Sequence, residues 1–232
     1  MEFVFAPEPP SSLAIHGSEK RFPVRRIYCV GRNYAEHVKE MSASKDFDVS
    51  KEPPCFFTKP GNAIVGDGRP AHYPTRTQDL HHEIELVIAI GKSGSNLVSA
   101  DAWEHVFGFA AGVDLTRRDL QSASKKAGLP WDTGKAFDDS APISAVRTLE
   151  QTGRLESGRI WLEVNGEIRQ DSDIDQLIWG IPEIIAELSS FFSLQAGDLI
   201  FTGTPAGVAA VQRGDVLRGG VDGVAELRVE II

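Results

Sequence analysis

Glu83 and Glu85 stand two residues apart in the stretch Leu-His-His-Glu-Ile-Glu-Leu-Val-Ile-Ala-Ile-Gly, residues 80–91. From Glu83 onward, Ile84, Leu86, Ile88 and Ile90 fall on one parity. Glu83, Glu85, Val87 and Ala89 fall on the other. This alternation, rich in branched residues, predicts a strand. Residues two apart on a strand lie about 6.6 Å apart on one face. Both carboxylates therefore point the same way, on a face that turns apolar at Val87. Two carboxylates beside apolar surface repel each other and lose hydration, which calls for a cation between them. A hard divalent ion with oxygen ligands fits. The plainer reading is a solvated face at a sheet edge.

Other side chains could join that chemistry. Residues 107–114 read as a compact apolar strand ending on Asp114, a natural third ligand. A helix is expected from Thr116 to about Ala127, closed by Gly128 and Pro130. Arg118 and Gln121 lie three apart on it, and Arg118 offers a bidentate clamp for a carboxylate. Further back, Asn33 is placed to cap a helix from Tyr34 to about Met41, with Glu36 completing a capping box. His37 and Glu40 share a face of that helix. A carboxylate beside an imidazole fixes its tautomer, as a general base requires; the same pair also suits an ordinary solvated helix face. Lys135, in a loop of small and apolar residues, could neutralise a developing oxyanion or simply be solvated. The Thr-Gly-Thr-Pro-Ala-Gly-Val loop, residues 202–208, could offer backbone N–H groups and the Thr204 hydroxyl to an anion. It lacks a Walker lysine, so it is not a nucleotide loop.

The elements that must position these residues are mostly strands. Residues 26–31 read as a buried strand, Cys55 to Pro60 as another, and Asn165-Gly166 as a hairpin turn. Pro182 opens a helix whose Ile184, Ile185, Leu188, Phe191 and Phe192 form a core-facing stripe. Residues 42–54, ending in Pro53-Pro54, read as a mobile loop; with the helix before it, the segment 34–52 is a candidate lid. No regular βαβ alternation is present, which argues against a doubly wound sheet. The expectation is a strand-rich α+β chain, with residues 1–25 an N-terminal arm and residues 26–232 a single catalytic domain.

Composition narrows the partners. The chain has 232 residues and a net charge of −9, with no Lys/Arg tract, which disfavours a nucleic-acid or anionic-membrane surface. An anionic substrate would need a local positive site. Cys29 and Cys55 make neither a metal spacing nor a disulfide framework and read as buried, reduced thiols. Without a signal-peptide pattern or a long apolar run, a cytoplasmic protein is expected.

Together these motifs closely resemble the fumarylacetoacetate hydrolase superfamily. The matching stretches are Tyr-Cys-Val-Gly-Arg-Asn-Tyr-Ala-Glu-His (28–37), His-His-Glu-Ile-Glu-Leu (81–86) and Gly-Val-Asp (112–114) with Arg118-Asp119-Leu120-Gln121. Lys135 with Phe137-Asp138 and the 202–208 loop complete the set. They run in order from about residue 26 to the end. The chain is most similar to the acylpyruvate hydrolase branch, and within it to bacterial fumarylpyruvate hydrolases of gentisate degradation. The resemblance implies a mixed β-roll, usually a homodimer. It implies Mg²⁺ or Mn²⁺ on Glu83, Glu85 and Asp114, with His81 and His82 outside the ligand set. It makes His37 and Glu40 a lid-borne dyad that activates water. Lys135 would stabilise an enolate, Arg118 and Gln121 would contact substrate, and Thr204 would meet its carboxylate. The implied reaction is hydrolysis of a C–C bond in a small anionic acylpyruvate. Oxaloacetate decarboxylation and 2-oxo acid isomerisation are the alternatives on the same scaffold. A non-catalytic metal-stabilised binding protein would need only the carboxylates, so His37, Glu40 and Lys135 speak against it.

Overall fold

A computed structural model describes residues 2–41 and 53–232; the part of the expected lid at 42–52 lies outside the described residues. The strand Ile84–Ile90 is the spine of the main sheet, and every residue in it is buried. It pairs antiparallel with Val106–Val113 on one side and with Leu199–Phe201 on the other. Leu199–Phe201 lies parallel to Arg26–Gly31, whose far edge takes Cys55–Pro60 antiparallel. Beyond Val106–Val113 come Ala141–Ile143, antiparallel, and then Ile64–Gly66, parallel. With Arg147–Thr148 also pairing Val106–Val113, the sheet has eight strands and mixed directions.

The two parities of Ile84–Ile90 serve two cores. Ile84, Leu86, Ile88 and Ile90 enter the larger one, and Val87 and Ala89 the smaller. An antiparallel four-stranded sheet closes the larger core. Its order is Glu167–Asp173, Arg159–Val164, Val216–Val221, Ala225–Glu230, and it contributes Ile160, Leu162, Leu217 and Val229. The helix Ile181–Phe191 adds Ile184, Ile185 and Leu188. Truncating Leu86 or Ile88 to Ala in this packing would cost about 2–5 kcal/mol. Close packing also explains Gly112, where a Cβ would lie 2.7 Å from the Phe201 ring. The expected hairpin forms at Asn165-Gly166, with φ of 53° and 83°, the doubly left-handed geometry that favours this pair. This is the mixed, strand-rich α+β roll that the sequence implied. At the N-terminal side, Ser12–Ile15 and Ser18–Pro23 pair as a hairpin whose Leu13 and Phe22 are buried in the smaller core.

Some local expectations are corrected. Asn33 does not cap the helix Ala35–Met41: its amide takes the Trp179 N–H at 2.7 Å and donates to Trp179 O at 3.0 Å and Thr202 O at 2.8 Å. Glu36 pairs with Lys39 instead of closing a capping box. The helix expected from Thr116 starts at Arg118, because Thr116–Arg117 pairs with Leu80–His81 as a short strand. Phe191 and Phe192 leave the core stripe: the helix ends at Phe191, Phe192 is extended, and the two are 65% and 38% exposed. Cys29 is buried, Cys55 only partly, and both are free thiols.

Strand direction gathers the chemistry at one end of the sheet. Ile84–Ile90 runs against both its neighbours, so its start meets the ends of Val106–Val113 and Leu199–Phe201. Glu83, Glu85, Asp114 and the 202–208 loop therefore converge. Arg26–Gly31 runs parallel to Leu199–Phe201 and delivers the helix Ala35–Met41 to the same end. A small three-stranded sheet, Ala210–Val211, Leu80–His81 and Thr116–Arg117, ties the three approaches together.

Candidate active site

Register places the carboxylates. Glu85 lies opposite Gly112, and Asp114, two residues on, donates its N–H to Glu83 O at 2.8 Å. Glu83, Glu85 and Asp114 thus share a face, with ligand oxygens all within 4.8 Å of one another. All three are buried. Such a cluster needs positive charge. Lys135 Nζ donates to Glu83 at 2.8 Å, Asp114 at 2.6 Å and Thr116 Oγ1 at 2.7 Å. Lys59 Nζ lies 2.8 Å from Asp114 Oδ1, and Arg118 pairs with Glu83. Burial pushes the Glu83 carboxyl up, but the Lys135 and Arg118 charges outweigh it and hold Glu83 well below the usual carboxylate range. Lys135 is opposed by the same burial, and Asp114 and Glu83 keep it raised.

Glu85 is the exception. It accepts the Gly203 N–H at 2.6 Å and is paired with no cation among the described residues. Burial, then the charges of Asp114 and Glu83, push its carboxyl well above the usual range. Asp114 Oδ1 is also buried without a hydrogen bond, since Lys59 lies close but out of line. Convergent oxygens, with one carboxylate short of a countercharge, suit a divalent cation. The oxygen-only donor set favours a hard ion over Zn²⁺. His81 and His82 do not contribute: His81 Nε2 contacts Asp79 at 2.9 Å and His82 Nδ1 contacts Gln170 at 2.9 Å.

His37 and Glu40 form the expected pair, with Nδ1 3.2 Å from Glu40 Oε2. That leaves Nε2 as the ring nitrogen free to take a proton. Glu40 also accepts the Gly207 N–H, at 3.2 and 3.3 Å to its two oxygens. Gly207 has φ +98°, and a Cβ there would meet Arg169 O at 2.0 Å, so only glycine presents this N–H. Burial raises the Glu40 carboxyl, but the His37 and Gly207 hydrogen bonds prevail and hold it below its ordinary value.

One cavity takes in every expected site residue except Glu40, which stands behind His37. Arg118 lines the cavity with its guanidinium held by the protein: it donates to Gln121 Oε1 at 2.6 Å and pairs with Glu83. Thr204 is 3% exposed and accepts from Gln170 Nε2 at 2.8 Å. Arg32, Lys125, Phe57 and Trp131 also line the cavity, and sequence reasoning had not singled them out. Lys59 had no role assigned from the sequence, yet it is 2% exposed and bonds Leu115 O at 3.2 Å and the Lys135 carbonyl. A lysine inside the apolar strand Cys55–Pro60 was the available signal. Gln170 lies in a polar run and gave none.

Known proteins resemble this chain in sequence and fold. The family described as fumarylacetoacetate (FAA) hydrolase C-terminal matches residues 26–232. The chain is 46% identical over 184 residues to a fumarylpyruvate hydrolase of Ralstonia sp, covering 79% of this chain and 95% of that one. It is 42% identical over 207 residues to a mitochondrial oxaloacetate tautomerase of Rattus norvegicus, covering 89% and 91%. The crystal structure of fumarylpyruvate hydrolase from Pseudomonas aeruginosa, in complex with Mn²⁺ and pyruvate, superposes with a TM-score of 0.95. Identity there is 52%, with coverage of 100% and 99%. No helix among the described residues is long and apolar enough to cross a membrane. By its matched residues, its fold and its relatives, the chain belongs to the fumarylacetoacetate hydrolase family.

Proposed function

We propose that this protein is a metal-dependent hydrolase of a C–C bond in acylpyruvates, converting fumarylpyruvate to fumarate and pyruvate. The observation that carries the reading is one cavity holding an oxygen-only carboxylate cluster together with His37, which is held by Glu40. Glu83, Glu85 and Asp114 would hold Mg²⁺ or Mn²⁺. When bound, that cation would supply Lewis-acid polarisation at the 2-oxo acid end of the substrate.

The residues do the rest. Arg118 and Gln121 orient the anionic substrate, and Thr204 donates to its carboxylate. His37 takes a proton from water, with Glu40 fixing its ring. The water oxygen bonds to the distal acyl carbon. The bond from that carbon to the methylene breaks, and its electron pair leaves on the pyruvate enolate. Lys135 stabilises that enolate charge. The proton held at His37 is available to return to the methylene carbon and complete pyruvate.

A second reading is oxaloacetate tautomerisation, favoured by the rat relative's name. It uses the same enolate stabilisation, with the dyad moving a proton between carbon and oxygen. We extend the main reading to a cytoplasmic homodimer acting in aromatic-compound catabolism through gentisate. The helix Ala35–Met41 would belong to a lid, and residues 1–25 would be an arm appended to a single catalytic domain, 26–232. The resemblance to fumarylpyruvate hydrolases supports these points. Light scattering after size exclusion tests the dimer. The functional test offers fumarylpyruvate and oxaloacetate side by side to chelator-stripped protein, with and without Mn²⁺. Metal-dependent fumarate and pyruvate are expected. Turnover of oxaloacetate alone would replace hydrolysis with the second reading.

A further inference from the structure

Gln170 belongs to the far sheet, on the strand Glu167–Asp173, yet its side chain is 1% exposed and reaches the candidate site. Its Oε1 accepts the Ile84 N–H at 3.1 Å, and its Nε2 donates to Pro205 O at 2.9 Å. A backbone N–H can only donate and a backbone carbonyl can only accept. These two contacts therefore fix which end of the amide is oxygen. Two consequences follow. His82 Nδ1, 2.9 Å from Oε1, carries the ring proton. Thr204 Oγ1, 2.8 Å from Nε2, is the acceptor.

Gln170 engages one lone pair of the Thr204 oxygen, and the hydroxyl proton remains to be donated. That proton has no protein acceptor among the described residues, and Thr204 lines the cavity with Glu83, Glu85 and Asp114. The same amide holds the backbone of Ile84, between Glu83 and Glu85. One buried side chain thus ties the Thr204 hydroxyl to the backbone between Glu83 and Glu85.

We propose that Gln170 is a positioning residue that holds the Thr204 hydroxyl so that its proton is presented to the substrate's carboxylate. The inference rests on the acylpyruvate reading, because that reading supplies the anion.

The test measures pyruvate affinity of the Mn²⁺-loaded protein by calorimetry and steady-state kinetics on fumarylpyruvate. The variants are Gln170→Met, Gln170→Glu, Thr204→Val, Thr204→Ser and the Gln170→Met/Thr204→Val double. Losing one hydrogen bond to a charged group should weaken pyruvate binding about 10- to 100-fold in Gln170→Met and Thr204→Val. KM should rise accordingly, while kcat falls less. Gln170→Glu, which retains the Ile84 contact but cannot donate to Thr204 when ionised, should match Gln170→Met. Thr204→Ser should restore affinity. The double variant should bind no more weakly than Thr204→Val, because both changes break one chain of contacts. Fully additive losses, or unchanged affinity in Gln170→Glu and Gln170→Met, would overturn the inference while leaving the acylpyruvate reading standing. Wild-type protein that neither binds pyruvate nor turns over fumarylpyruvate would instead remove that reading, and the inference with it.

Discussion

The carboxylate cluster and the His37–Glu40 pair face one cavity but are built in opposite ways. Glu83, Glu85 and Asp114 sit at the ends of strands paired on both sides, are buried, and are fixed by register and by two lysines. His37 and Glu40 ride on a seven-residue helix. Their side chains are 12% and 34% exposed, and Glu40 is tied to the 202–208 loop through one backbone N–H. A divalent cation requires fixed oxygens. A residue that exchanges protons with water works from a surface that solvent can reach. The two halves should therefore fail separately when mutated.

Asp114→Ala is expected to have the largest effect. It removes a proposed ligand and strips a partner from both Lys59 and Lys135. Breaking buried pairs of this kind costs about 3–5 kcal/mol. Denaturant unfolding should show that loss, and calorimetry should find no measurable Mn²⁺ binding. Wild-type Mn²⁺ affinity in this variant would contradict the ligand assignment.

His37→Ala should leave Mn²⁺ affinity and unfolding midpoint unchanged while kcat on fumarylpyruvate drops about 10²- to 10⁴-fold. Glu40→Gln should be milder, with kcat down about 10-fold, since the amide still accepts the Gly207 N–H and supports the ring. A loss of Mn²⁺ affinity in either variant would show that the halves are not separable.

The smallest effect is a pH dependence. Burial and the neighbouring carboxylates push the Glu85 carboxyl up in the metal-free protein. A raised carboxyl holds its proton to higher pH, and a cation must displace it. Mn²⁺ affinity should therefore weaken as pH falls, by at most about 10-fold per pH unit for one proton. Calorimetry in buffers of different ionisation enthalpy should detect proton release on binding. Binding with no proton release would mean that Glu85 is already ionised.

Parts of this design could be read from the chain because they are local. The parity of residues 83–90 put both carboxylates on one face, which turns apolar at Val87. The three-residue spacing of His37 and Glu40 put them within reach of each other. Asp114 was legible as the end of an apolar strand and so as a natural third ligand. What the sequence hid was long-range. Lys59 reaches Asp114 only because Cys55–Pro60 folds against the sheet. Gln170 crosses from the second sheet to Thr204. Asn33 had good local capping chemistry, but Trp179 and Thr202, far along the chain, claim its amide. Phe191 and Phe192 fit the helical period, yet the helix stops before that period can bury them.

The most direct test of water activation by the helix-borne pair is a single-turnover reaction of Mn²⁺-loaded protein with fumarylpyruvate in ¹⁸O-labelled water, run on wild type and His37→Ala. The account predicts one labelled oxygen in the released fumarate. It also predicts at least about a 100-fold slower release in the variant at equal metal occupancy. Unlabelled fumarate, or an unchanged rate in His37→Ala, would contradict it.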